Sequence, residues 1–145
     1  MSGSRLSVVA NGTRETGAVG VAGVLRSSIA AARAPAGDFR LAALGRVDTL
    51  LRQSAAVLRE AAAEIDDDPV ADASALAMRA RLVAESVATA VLDVTGRSLG
   101  AGPFCKNLRF AKLAADLPVY LRQSHAEHDF AALGERMTAG AAWMP

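Results

Sequence analysis

Cys105 is the only cysteine in the 145-residue chain, so no internal disulfide can form and the fold must rest on its core. Aromatic residues are equally sparse at 4%, with one Trp and one Tyr. That scarcity argues against an all-β sandwich, whose strands favour aromatic and β-branched side chains, and against a base-stacking nucleic-acid module. Neither sign of charge dominates: sixteen Lys and Arg stand against fifteen Asp and Glu, a net charge of +1. A duplex-binding protein carries a basic excess instead. No uncharged apolar run approaches the ~18 residues of a membrane span. Near the N-terminus only Leu6–Ala10 is apolar, short of the roughly 7–15-residue core of a secretory signal. These absences predict a cytoplasmic protein in a reducing compartment, with neither nucleic acid nor membrane as partner.

What is present is helix-forming. Hydrophobic residues make up 52% and charged residues 21%, which excludes a disordered tail. Alanine, the strongest helix former, is the commonest residue. The length suits one domain. Residues 1–15 read as an irregular lead-in. Ala18, Ala22, Leu25, Ile29 and Ala32 then fall on one helical stripe. Gly17, Gly20 and Gly23 weaken that helix, and a closely approaching partner helix is the expected compensation. The stretch Ala34-Pro35-Ala36-Gly37 breaks the chain.

Asp38 is placed to cap a second helix. Its apolar stripe is Leu44, Val47, Leu51, Ala55, Leu58, Ala62 and Ile65. Asp66-Asp67-Asp68-Pro69 ends it and starts the next. The third helix carries Leu76, Ala80, Val83, Val87, Val91 and Val94. Thr95–Pro103 reads as a sharp glycine-rich break and Phe104–Ala115 as a short helix. Pro118 is unfavourable in a helix interior, so a new helix is expected to begin there and run to Met137, before a loose tail at 138–145. Short connections between long amphipathic helices predict an all-α fold over 16–137: an antiparallel four-helix-type bundle with the last helix interrupted near Pro118.

Three constellations carry candidate chemistry. Thr95–Pro103 lacks both the dinucleotide-binding and the Walker glycine patterns. Free backbone N–H groups beside Arg97, ahead of a helix N-terminus, would suit a phosphate, while a helix–helix corner needs the same glycines. His125-Ala126-Glu127-His128-Asp129 spaces two histidines three apart, but the chain has no Glu-x-x-His for a di-metal bundle. A solvated charged face explains it better, and no metal is expected. The third is Tyr120, Arg122 and His125, in which Arg122 would clamp an anionic group and His125 would move a proton; a packed Tyr and two surface side chains are the plainer alternative. Cys105 has no His partner at a recognisable spacing and is expected to be a small, partly buried side chain.

The run Leu92–Gly100, then Arg109–Asp116, then Leu117-Pro118-Val119-Tyr120-Leu121-Arg122-Gln123-Ser124-His125 on to Gly134 resembles the C-terminal helical domain of acyl-CoA dehydrogenase-like flavoproteins. The resemblance covers most of residues 16–135, and order and spacing carry it more than any single motif. It implies FAD, or FMN, bound only with the help of a partner chain or of domains missing here, since the family's β-domain has no counterpart in this sequence. By that resemblance Gly96, Arg97, Ser98 and Gly100 would contact the flavin of a neighbouring subunit. Arg33, or second to it Arg40, would meet the pyrophosphate, although Phe39 is followed by Arg40 and not by Gly. The family's glutamate base is missing between Leu117 and Ala126, whereas His125 matches the histidine of the related flavin monooxygenases and is the catalytic candidate. The expectation is a C-terminal domain or small subunit of a flavin-dependent oxidoreductase, homo-oligomeric or joined to a flavoprotein subunit, with an acyl thioester as possible substrate. A lone chain should be inactive, colourless and self-associating. The alternative is a non-catalytic helical-bundle interaction or scaffold protein derived from that family.

Overall fold

A computed structural model describes Gly20, Ala22, Gly23, Arg26, Ser27, residues 37–123 and residues 125–139. The protein is all-α, with no strand among the described residues. Five helices are delimited: α1 (Asp38–Asp67), α2 (Ser74–Leu99), α3 (Gly102–Lys106), α4 (Leu108–Leu121) and α5 (Ala126–Thr138). Gly20, Ala22, Gly23, Arg26 and Ser27 are also helical. The expected lead-in at 1–15 lies outside the described residues, as does nearly all of the expected tail.

α1 and α2 pack along each other across the short connection 68–73. The face of α1 that is buried is Val47, Ser54, Ala61 and Ile65, so the centre of the stripe lies one residue before the expected Ala55 and Ala62. Steps of seven between Val47, Ser54 and Ala61 keep one seam against a neighbouring helix, and a serine on that seam is invisible to a search for apolar residues. Asp38 does not cap α1. Gly37 is the N-cap, and Asp38 is the first helical residue, where its charge complements the helix dipole. Pro69 does not start α2 either: residues 68–73 form the turn, and Asp72 accepts the Ser74 N–H at 2.9 Å.

α2 is the central helix, buried along Ala77, Ala80, Ala84, Val87, Ala88, Val91 and Thr95. Small side chains at several of these positions let neighbours approach on more than one side. It packs against α1, α4 and α5. Ala22, Val47, Val87, Ala88, Val91, Phe110, Leu117 and Leu121 form one core cluster. A Cβ built on Gly20 would meet Leu113 Cδ1 at 3.2 Å, the close approach to another helix that its glycine-rich surroundings led us to expect.

The returning limb differs from expectation in three places. α2 continues through Thr95–Leu99, and the break shrinks to Gly100 and Ala101. The expected Phe104–Ala115 helix is divided by Asn107, whose side chain accepts the Phe110 N–H at 3.0 Å and caps α4. Pro118 sits inside α4; the interruption falls one turn later, with Arg122, Gln123 and His125 outside any helix. Leu117 and Leu121 share the buried face of Phe110, and that packing outweighs the single hydrogen bond that proline removes.

α5 then runs antiparallel to α2. Asp129 pairs with Arg81, Met137 Sδ accepts from Arg79 Nη2 at 3.5 Å, and Arg136 Nη1 donates to Ser74 Oγ at 2.7 Å. Hydrogen bonds from Ser74, side chain before backbone, hold the Asp72 carboxyl below the usual carboxylate range, with Arg136 adding attraction. This tie joins the start of α2 to the end of α5.

Among the described residues three buried hydroxyls, those of Ser54, Thr95 and Ser98, have no hydrogen-bond partner. An unpaired hydroxyl in an apolar seam costs free energy, and replacing it by a group of the same shape removes that cost. Thr95→Val is therefore expected to stabilise the protein by about 1 kcal/mol. Thermal unfolding should show a midpoint about 2–6 °C higher; a lower midpoint would mean that Thr95 Oγ1 is bonded after all.

Candidate functional site

The end of α2, the Gly100–Ala101 corner, α3 and α4 enclose an open groove of about 750 Å³. Half-buried Leu92, Gly96, Ala114 and Pro118 line it more deeply, while exposed Asp93, Arg97 and Arg122 stand at its edge. Sequence spacing accounts for the walls: Ala114, Pro118 and Arg122 are four apart and share one side of α4, as Asp93 and Arg97 do on α2. Phe104 closes one end. Its ring meets Phe110 edge-on, with centroids 4.8 Å apart and planes at 81°. A Cβ on Gly96 would come within 3.3 Å of Phe104 Cζ, so the small residue at 96 makes room for that ring.

Arg97 is not a free cation. Its Nε donates to Asp93 Oδ1 at 2.7 Å, and this hydrogen bond, followed by Coulomb attraction, raises the Arg97 pKa above its usual value. Because α2 reaches Leu99, the N–H groups of Gly96, Arg97 and Ser98 lie inside a helix, where carbonyls one turn back take them. The free N–H cluster expected beside Arg97 is thus absent from this stretch. Among the described residues Gly100 alone has the positive φ of a glycine corner, at 67°, and its N–H donates to Gly96 O at 2.9 Å.

The other sequence candidates are dispersed. Gly96, Arg97 and Gly100 line the groove, but Ser98 and His125 do not. Ser98 is buried on another side of α2. His125 is exposed at the N-cap of α5 and stacks edge-on against His128, with centroids 5.9 Å apart. Of the Tyr120, Arg122 and His125 constellation, only Arg122 reaches the groove. Arg40 is exposed in the first turn of α1; Arg33 lies outside the described residues. Cys105, expected to be partly buried, is exposed, because α3 turns Phe104 and not Cys105 toward Phe110. Among the described residues no three His, Cys, Asp or Glu side chains converge as a metal site, and no helix is long and apolar enough to cross a membrane.

Sequence reasoning missed the feature that sets this region apart. Leu108 is 85% exposed and Val119 62% exposed. With the exposed Ala115 between them they stand at i, i+7 and i+11 on one face of α4, next to the face that lines the groove. The signal was available: α4 is apolar on more than the one stripe a core requires.

Comparison with protein-family models, with curated proteins and with solved structures finds no match to this chain.

Proposed function

We propose that this chain works by association: a helical bundle that receives another polypeptide along the groove and the adjoining face of α4. The observation that carries this reading is the water-facing Leu108–Ala115–Val119 row, continuous around α4 with the apolar groove wall at Ala114 and Pro118. Large apolar side chains clustered beside a concavity, with charged residues at the edge, are the usual composition of a protein-binding surface. His125 and Arg97 are not brought to one cleft, and catalysis needs its groups within reach of one reacting centre.

One observation favours the flavoprotein reading as a second. Arg97 and Arg122 both stand at the groove edge, where a flavin pyrophosphate or the acidic side chains of a flavoprotein subunit would find positive charge. The described residues do not make a flavin cradle unaided, since Asp93 already holds Arg97 and the neighbouring N–H groups are inside a helix. In this reading the chain is a small subunit of an acyl-CoA dehydrogenase-like oxidoreductase. The partner supplies the remaining walls for FAD or FMN and for an acyl thioester.

A photo-cross-linking amino acid placed at Leu108, with Glu64 on α1 as the exposed control, tests both readings in the cells that make the protein. One discrete adduct from position 108 and none from 64 is expected. Absence of any adduct at 108 overturns the association reading. An adduct with flavin fluorescence supports the flavoprotein subunit; a colourless one removes it and leaves the interaction bundle.

A further inference from the structure

Resting on that association reading, we infer that the partner of the α4 face is a second copy of this chain, with the two α4 helices side by side and antiparallel about a twofold axis. The face is self-complementary: apolar side chains stand at its two ends and a cation and a carboxylate near its middle. Leu108 and Val119 sit at opposite ends of the exposed face, so reversing one helix against the other sets Leu108 of each copy beside Val119 of its mate. Ala115, near the middle, carries only a methyl group and allows the backbones to approach.

Lys112 stands on this same face between Leu108 and Ala115, and Asp116 lies beside it one turn on, both exposed and in no ion pair among the described residues. The antiparallel register that aligns Leu108 with Val119 brings Lys112 of one copy to within one residue, about 1.5 Å of helix rise, of Asp116 of the other, twice by symmetry. An isologous contact requires such a self-complementary patch. A parallel pairing sets Lys112 against Lys112 in the seam and parts the two Asp116 side chains to opposite sides of it, so the like charges meet without a compensating carboxylate. Two fourteen-residue helices and the adjacent groove edge make a small interface, so the dimer is reversible and concentration-dependent.

Sedimentation equilibrium on the purified full chain tests this. The weight-average mass should rise from the 14.9 kDa monomer toward twice that value across about 1–500 μM. Lys112→Asp alone and Asp116→Lys alone should each weaken self-association about tenfold or more, because each creates two like-charge contacts. An equimolar mixture of the two variants should associate again as a heterodimer, and the double variant K112D/D116K should recover the homodimer. Both positions are exposed, so the folded monomer is expected to persist in every variant, with circular dichroism as the check. A wild-type chain monomeric throughout the range, or a dimer indifferent to both single variants, overturns the proposal. A monomeric chain that still gives a discrete adduct at position 108 in cells removes only the second copy as partner. Loss of that adduct as well removes the association reading itself.

Discussion

Phe110→Ala is expected to destabilise the protein by about 3–5 kcal/mol, the range for deleting a buried aromatic ring. Phe110 is fully buried and shares its cluster with Val47 of α1, Val87, Ala88 and Val91 of α2, and Leu117 and Leu121 of its own helix. Three helices therefore lose contacts at once, and the ring of Phe104 loses its edge-on neighbour. A domain of ordinary stability has about 5–15 kcal/mol in total, so the variant should be partly unfolded or close to it at 37 °C. Urea titration checks this: the midpoint should fall sharply while the slope stays constant. Phe104→Ala is the comparison. That ring is 44% exposed, and its loss should cost clearly less. Equal losses at the two positions would mean that the core is centred elsewhere than Phe110.

Gly100→Ala should cost about 1–3 kcal/mol, the cost of holding a side-chain-bearing residue in a conformation essentially reserved for glycine. Gly100 has φ 67° and ψ −163° at the C-cap of α2. A Cβ there would touch nothing within 4 Å, so the penalty comes from the backbone and not from a clash. Serine should behave like alanine for the same reason. Gly102→Ala supplies the contrast: Gly102 opens α3 with helical geometry and equally open surroundings, and alanine there should be neutral or mildly stabilising. Thermal unfolding of both variants separates the two cases. If both substitutions are silent, the corner between α2 and α3 adopts a different backbone.

The same corner shows how far local sequence reading extends. Three glycines and a proline between residues 96 and 103 mark a break, and a break is there, but it occupies two residues instead of nine. Gly96 stays helical because the intervening side chains Thr95 and Ser98 are buried against other helices, and glycine costs only about 1 kcal/mol in a helix interior. The N-cap at Asn107 was readable in principle, as asparagine is a favoured cap residue. It was overshadowed by the apolar pattern running through Phe104, Leu108 and Phe110. Pro118 shows the reverse error: a strong local rule overruled by Leu117 and Leu121, which anchor both sides of the proline in the core.

The candidate site was less legible than the fold. Arg97 is identifiable from sequence as a cation beside glycines; that Asp93 neutralises it follows only once both are known to lie on one continuous helix, four residues apart. His125 is recognisable as a titratable side chain, but its distance from the groove depends on where α4 ends and how α5 departs.

Composition and periodicity alone determined that this protein is helical, that α1 and α2 are long, and which of their faces turn inward to within one residue. Those properties are summed over many positions, so no single misreading disturbs them. Tertiary structure decided where the returning limb breaks, which hydroxyls are buried unpaired, and that a leucine and a valine of α4 face water. Each of these turns on one residue balanced between a local preference of about 1 kcal/mol and burial worth as much or more, and only the packed neighbours show which prevails.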